Sequence, residues 1–61
     1  MKKELIRRIK KMKNEKGLSF KDLSFYLGFR SANTTFNYVS KKSIPKNRYE
    51  YLDHVLKKEG Y

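Results

Sequence analysis

Thr34, Asn37, Tyr38 and Lys41 recur at offsets of three and four, so a helix through them presents all four on one face, and that face carries no acid. The residue types suit an edge of closely spaced donors and acceptors. An Asn amide offers one of each and matches the edge of an adenine. Thr brings a hydroxyl and a methyl that fits against thymine, and Tyr and Lys add a hydroxyl and a positive charge. Asn33, at the start of the same stretch, supplies a second amide. A face meant only for water would more economically use Glu, Lys and Ala, which form helices more readily.

Other chemistries are poorly provided for. The chain has no Cys and a single His, so neither a thiolate metal site nor a cysteine nucleophile is expected. His54 has Glu50 one turn behind it and reads as half of a surface pair. No glycine-rich phosphate loop and no converging pair of acids is present, which implies no catalysis, no cofactor and no small-molecule substrate. The sixteen Lys and Arg against six Asp and Glu give a net charge of +10, the footprint of a protein that meets a polyanion. Nucleic acid is the leading partner and an anionic membrane the weaker one. No apolar run approaches the length of a membrane span. The basic start MKKELIRRIKKMK lacks the apolar stretch and cleavage site of a signal peptide, so an unprocessed cytoplasmic protein is expected.

A helix that reads base edges needs neighbours that grip the backbone. Lys42, Ser43, Lys46, Asn47 and Arg48 follow the polar row and form the main candidate clamp, and Ser19, Lys21, Arg30 and Ser31 flank it on the other side. The eight Lys or Arg between residues 1 and 16 read first as a solvated helix face.

These groups must be held by a core drawn from only 61 residues, enough for one domain spanning residues 1–61. Leu5, Ile6, Ile9 and Met12 mark an amphipathic helix over about 3–16, with Arg7, Lys10, Lys11 and Asn14 on its outer side and Gly17 as its stop. Ser19 and Asp22 resemble a capping box that opens a second helix over 19–27. That helix buries Leu23 and Leu27 with help from Phe20 and Tyr26, and Gly28 marks a sharp turn. A third helix over 33–41, capped by Ser31 or Asn33, takes its phase from Phe36 and Val39 as buried residues. Pro45 breaks the chain before a fourth helix over 46–58, with Tyr49, Leu52, Val55 and Leu56 inward and with Glu50–His54 and Asp53–Lys57 as surface pairs. The expected fold class is all-α, a compact bundle of about four short helices containing a helix-turn-helix. Phe25, Tyr51 and Tyr61 are candidate interface aromatics. Their alternatives are a Phe25 folded back on the first helix, a core-edge Tyr51 and a loose terminal Tyr61.

The stretch RIKKMKNEKGLSFKDLSFYLGF, together with IPKNRYEYL, resembles the Cro/CI-type (XRE) helix-turn-helix family of bacterial and phage repressors. The likeness covers about residues 5 to 58. It includes the Gly-Leu-Ser start of the second helix, the Leu-Gly-hydrophobic turn and the proline-led entry to the fourth. Ser24 falls where the family has a small residue at the crossing of helices 2 and 3. Phe20 replaces a Gln that touches phosphate in many members, so that contact is not implied. Placing Phe36 and Val39 on the family's buried positions implies a turn about two residues longer than usual. The resemblance implies a sequence-specific regulator of transcription, a Cro-like repressor acting as a homodimer on an inverted-repeat operator in double-stranded DNA. The alternatives are a basic protein that coats DNA or RNA without sequence choice, and an antirepressor-type protein-interaction module.

Overall fold

Leu5, Ile9 and Met12 are wholly buried and Ile6 nearly so, and they lie on the inner stripe of α1, Lys2–Lys16, in a computed structural model that describes residues 1–61. Gly17 ends the helix in the left-handed conformation (φ 64°), and its N–H and that of Leu18 close onto the carbonyls of Asn14 and Lys13. The helices α2, Phe20–Leu27, α3, Ala32–Ser40, and α4, Tyr49–Lys58, follow, with a 3-10 turn at Lys46–Arg48 leading into the last. The protein is all-α, four helices without a strand.

Local chemistry sets each boundary. Ser19 and Asp22 form the expected reciprocal cap, the Ser19 hydroxyl accepting from the Asp22 N–H at 3.1 Å and the Asp22 carboxylate accepting from the Ser19 N–H at 3.4 Å. Gly28 (φ 79°) stops α2, and a methyl group there would overlap the hydroxyl of Tyr51, so both backbone and space demand glycine. That hydroxyl donates to the Leu27 carbonyl at 2.8 Å, tying α4 to the end of α2. Pro45 stands in extended conformation before the 3-10 turn and lies outside the fourth helix.

The core joins Leu5, Ile6, Ile9 and Met12 to Leu23 and Leu27, Tyr38 and Val39, Ile44, and Leu52 and Leu56, so every helix and the loop after α3 contribute. Each fully buried Leu is worth about 1.5–3 kcal/mol. Tyr26 departs from expectation. It is an exposed ring beneath the Lys16 ammonium, 5.6 Å from its centroid, and lies outside the core.

Arg8 holds the ends together. It occupies the inner stripe of α1, is only 7% exposed, and donates to Asp53 Oδ1 at 2.6 Å, to the Asp53 carbonyl at 3.4 Å and to the Tyr61 carbonyl at 2.8 Å. Asp53 also meets Lys57 at 3.1 Å as expected, whereas Glu50 and His54 do not pair. Tyr61 is therefore not a loose terminus, and its own hydroxyl donates to Glu15 at 2.9 Å.

Candidate nucleic-acid interface

The α2–turn–α3 unit is organised by a polar seam. The Ser24 and Thr35 hydroxyls lie 2.6 Å apart in the core, and the Ser24 hydroxyl also meets the Ser31 carbonyl at 3.2 Å. A small hydroxyl at Ser24 lets the two helices approach closely, and Thr35, fully buried, satisfies it. Ser31 caps α3 by accepting from the Asn33 N–H at 3.1 Å.

This seam sets the phase of α3 differently from the sequence reading. Thr35, Tyr38 and Val39 face inward, while Phe36 is 42% exposed. Tyr38, expected to reach bases, is 7% exposed, and its ring packs edge-on against Phe29 at 5.3 Å between centroids. Its ring belongs to the core, so it is not the helix-surface residue the sequence reading expects. Two partners cause the correction: Phe29 in the turn provides an aromatic slot for Tyr38, and Ser24 provides a hydroxyl for Thr35. Neither partner is visible in the periodicity of α3 itself.

The outer face of α3 carries the exposed Asn33, Phe36 and Ser40 and the half-buried Asn37, flanked by the half-buried Thr34 and by the exposed Lys41 at the C-cap. Its side-chain hydrogen bonds are those of Ser31 and Thr35 at the inner side, so the amides of Asn33 and Asn37 are uncommitted. Phe36 leans edge-on against Phe20 at 5.3 Å. Of the residues expected on this face, Asn33 and Lys41 are exposed and Thr34 and Asn37 half-buried, and the sequence reading did not include the exposed Phe36 and Ser40. The spacing 33, 36, 37 and 40 was the available signal. No acid occurs between Leu23 and Tyr49, so nothing on α3 or the turns flanking it repels an anion.

The expected backbone-gripping residues do not form one clamp. Lys21 and Arg30 line a cleft of about 240 Å³ beside the α2–α3 turn, shared with Asp22 and Phe25. Ser19 and Ser31 use their hydroxyls in helix caps, and the Asp22 carboxylate at the Ser19 cap disfavours a phosphate there. Lys46, Asn47 and Arg48 lie exposed in the 3-10 turn, where the Arg48 guanidinium sits 5.5 Å from the centre of the Phe29 ring. Ser43 is exposed and its N–H donates to the Asn37 carbonyl at 3.4 Å. Lys42 turns elsewhere, into a cleft of about 440 Å³ formed with Lys3, Ile6, Arg7 and Lys10 of α1.

Phe25 is 85% exposed and does not fold back on α1. Tyr51 is half exposed but held by its bond to Leu27. No group of three or more His, Cys, Asp or Glu is gathered as metal ligands, and no helix is long and apolar enough to cross a membrane. No family model, curated protein or solved structure matches the chain.

Proposed function

We propose that this chain is a sequence-specific regulator that binds double-stranded DNA through α3, a Cro-like repressor in which α2 and α3 act as a helix-turn-helix. The observation that carries the reading is the outer face of α3, where Asn33 and Asn37 hold their amides free on an acid-free surface of a chain with net charge +10. A nine-residue helix is about 14 Å long and about 10–12 Å across, and the major groove is about 12 Å wide, so α3 fits lengthwise with its Asn amides toward the base edges. The cations supply salt-sensitive affinity by releasing counterions, and the amides supply choice of sequence.

The Cα positions of one copy extend 26 × 23 × 17 Å. Two copies side by side can set their α3 helices about 34 Å apart, one turn of DNA, as an inverted-repeat site requires of a two-fold dimer. Repression follows from occlusion of a promoter by the bound dimer in the cytoplasm.

Enrichment from a random duplex pool at about 150 mM salt, where purely electrostatic binding is weakened, tests the reading. Recovery of a short inverted repeat is the expected result, and recovery of unselected DNA refutes sequence choice. Asn37→Ala then costs about 1–3 kcal/mol on the recovered site and much less on random DNA. Equal losses on both move the reading to a basic coating protein of DNA or RNA. The exposed Phe25 ring favours a second reading, a protein-interaction module, which partner binding that survives Lys41→Glu would support.

A further inference from the structure

We infer that the cleft between α1 and the end of α3 is a phosphate-binding site, and that it takes backbone phosphates of the same duplex whose major groove receives α3. The inference rests on the DNA reading of α3 and adds a site to it. Lys3, Arg7 and Lys10 of α1 and Lys42 line the cleft over a floor of Ile6, with no carboxylate among them. None of these four cations takes part in an ion pair; the carboxylates that pair do so with Arg8, Lys11 and Lys57. Like charges gathered in one concave place repel one another, and an anion seated among them relieves that repulsion.

Lys42 adds an independent sign. It is the only residue other than glycine with a positive φ, at 52°, a conformation that costs a side-chain-bearing residue free energy and that glycine adopts freely. The chain turns there, immediately after α3, and carries a cation into the cleft where a glycine would be the easier residue.

The placement points to the duplex held by α3. The Lys13 ammonium lies 4.8 Å from the centre of the Phe20 ring, and Phe20 meets the exposed Phe36 of α3 edge-on. At the other end, Lys3, Arg7 and Lys10 share their cleft with Lys42. A cationic row from Lys3 to Lys13 thus runs for about 15 Å along α1, from the cleft at Lys42 to Phe20, which touches the middle of α3 at Phe36. With α3 filling the groove, a helix packed alongside it lies at the groove's rim, where the phosphates are.

The test compares Arg7→Gln/Lys42→Gly with the charge-matched Lys11→Gln/Lys58→Gln, measuring affinity for the enriched duplex against salt concentration and melting temperature by circular dichroism. The cleft pair is expected to lower the salt slope by about two and weaken binding by about 30-fold or more at about 150 mM salt, with no fall in melting temperature. The control pair is expected to change affinity several-fold less. Equal weakening by both pairs, with the preferred sequence still selected, overturns the cleft and leaves the reading of α3 standing. If the pool yields no preferred sequence while the cleft pair still weakens duplex binding far more than the control, the cleft is supported as a phosphate site and the sequence-reading role of α3 falls.

Discussion

Arg7 and Arg8 are neighbours in the chain and lie on opposite sides of a division in the molecule. Arg8 points inward, is nearly buried, and is tied to Asp53 and to the Tyr61 carbonyl. Arg7 points outward into a cleft with Lys3, Lys10 and Lys42 and meets no carboxylate. A helix advances about 100° per residue, so adjacent positions can serve different surfaces. The Arg8 side of α1 closes on α4 and has its charges matched within the protein. The Arg7 side, beside α3, has its charges unmatched. Charge that stabilises this fold and charge available for a polyanion are therefore separable by residue, although composition counts them alike.

Substituting the two arginines is the strongest way to break that comparison. Arg8→Ala removes three donated hydrogen bonds and a buried aliphatic stem, and its expected cost is about 3 kcal/mol, a large share of the stability of so small a domain. In urea denaturation followed by circular dichroism the midpoint falls accordingly, and the folded fraction keeps its preference among DNA sequences. Arg7→Ala has the opposite profile: stability within about 0.5 kcal/mol of wild type and weaker, more salt-tolerant DNA binding. Similar midpoints for both variants would contradict the division between the two faces.

Gly28→Ala extends the comparison to the turn that presents α3. The expected cost is about 2 kcal/mol, partly from the positive φ and partly from overlap with the Tyr51 hydroxyl. Combined with Tyr51→Phe, which removes that hydroxyl, the loss is smaller than the sum of the two single losses, because the overlap disappears. Strict additivity in the double-mutant cycle would assign the whole effect to the backbone.

What could be read from the sequence was whatever depends on near neighbours. The stripe of Leu5, Ile9 and Met12, the stop at Gly17, the Ser19–Asp22 cap and the break at Pro45 each involve residues within a turn or two of one another, and all four helices were legible from them. The phase of α3 was not. In nine residues its apolar pattern is short enough to fit two phases, and the choice between them rests on Ser24 and Phe29, which belong to other elements. Tyr38 was accordingly misplaced on the outer face, while Asn33 and Asn37 are outward in both phases. Arg8 was missed for a related reason: its partner lies 45 residues away, and the only local hint was a cation three residues after Leu5 on the apolar stripe. Ile44, buried in the loop before Pro45, had no periodicity to mark it.

The smallest effect sharpens the account of the closed side by titrating it. The Arg8 guanidinium, and after it the Lys57 ammonium, holds the Asp53 carboxyl below its usual 3.8. A carboxylate with its pKa lowered by folding contributes stability that is complete above the unfolded value and is lost as the pH falls through the folded one. Tyr61 is shifted the other way. Its hydroxyl donates to Glu15, which raises its pKa above the usual 10.0, so its contribution is complete below that value and is lost as the pH rises through the raised one. The melting temperature is therefore expected to be flat between these two ranges. In acid, the gap between wild type and Asp53→Asn narrows, because the protonated wild-type side chain has also lost its charge. In alkali, the gap between wild type and Tyr61→Phe closes, because an ionised Tyr61 no longer donates to Glu15. Gaps that stay constant across both ranges would mean that neither bond helps hold the C-terminus to α1, leaving that task to the Arg8 contacts with the Asp53 and Tyr61 carbonyls and to the core packing of Leu52 and Leu56.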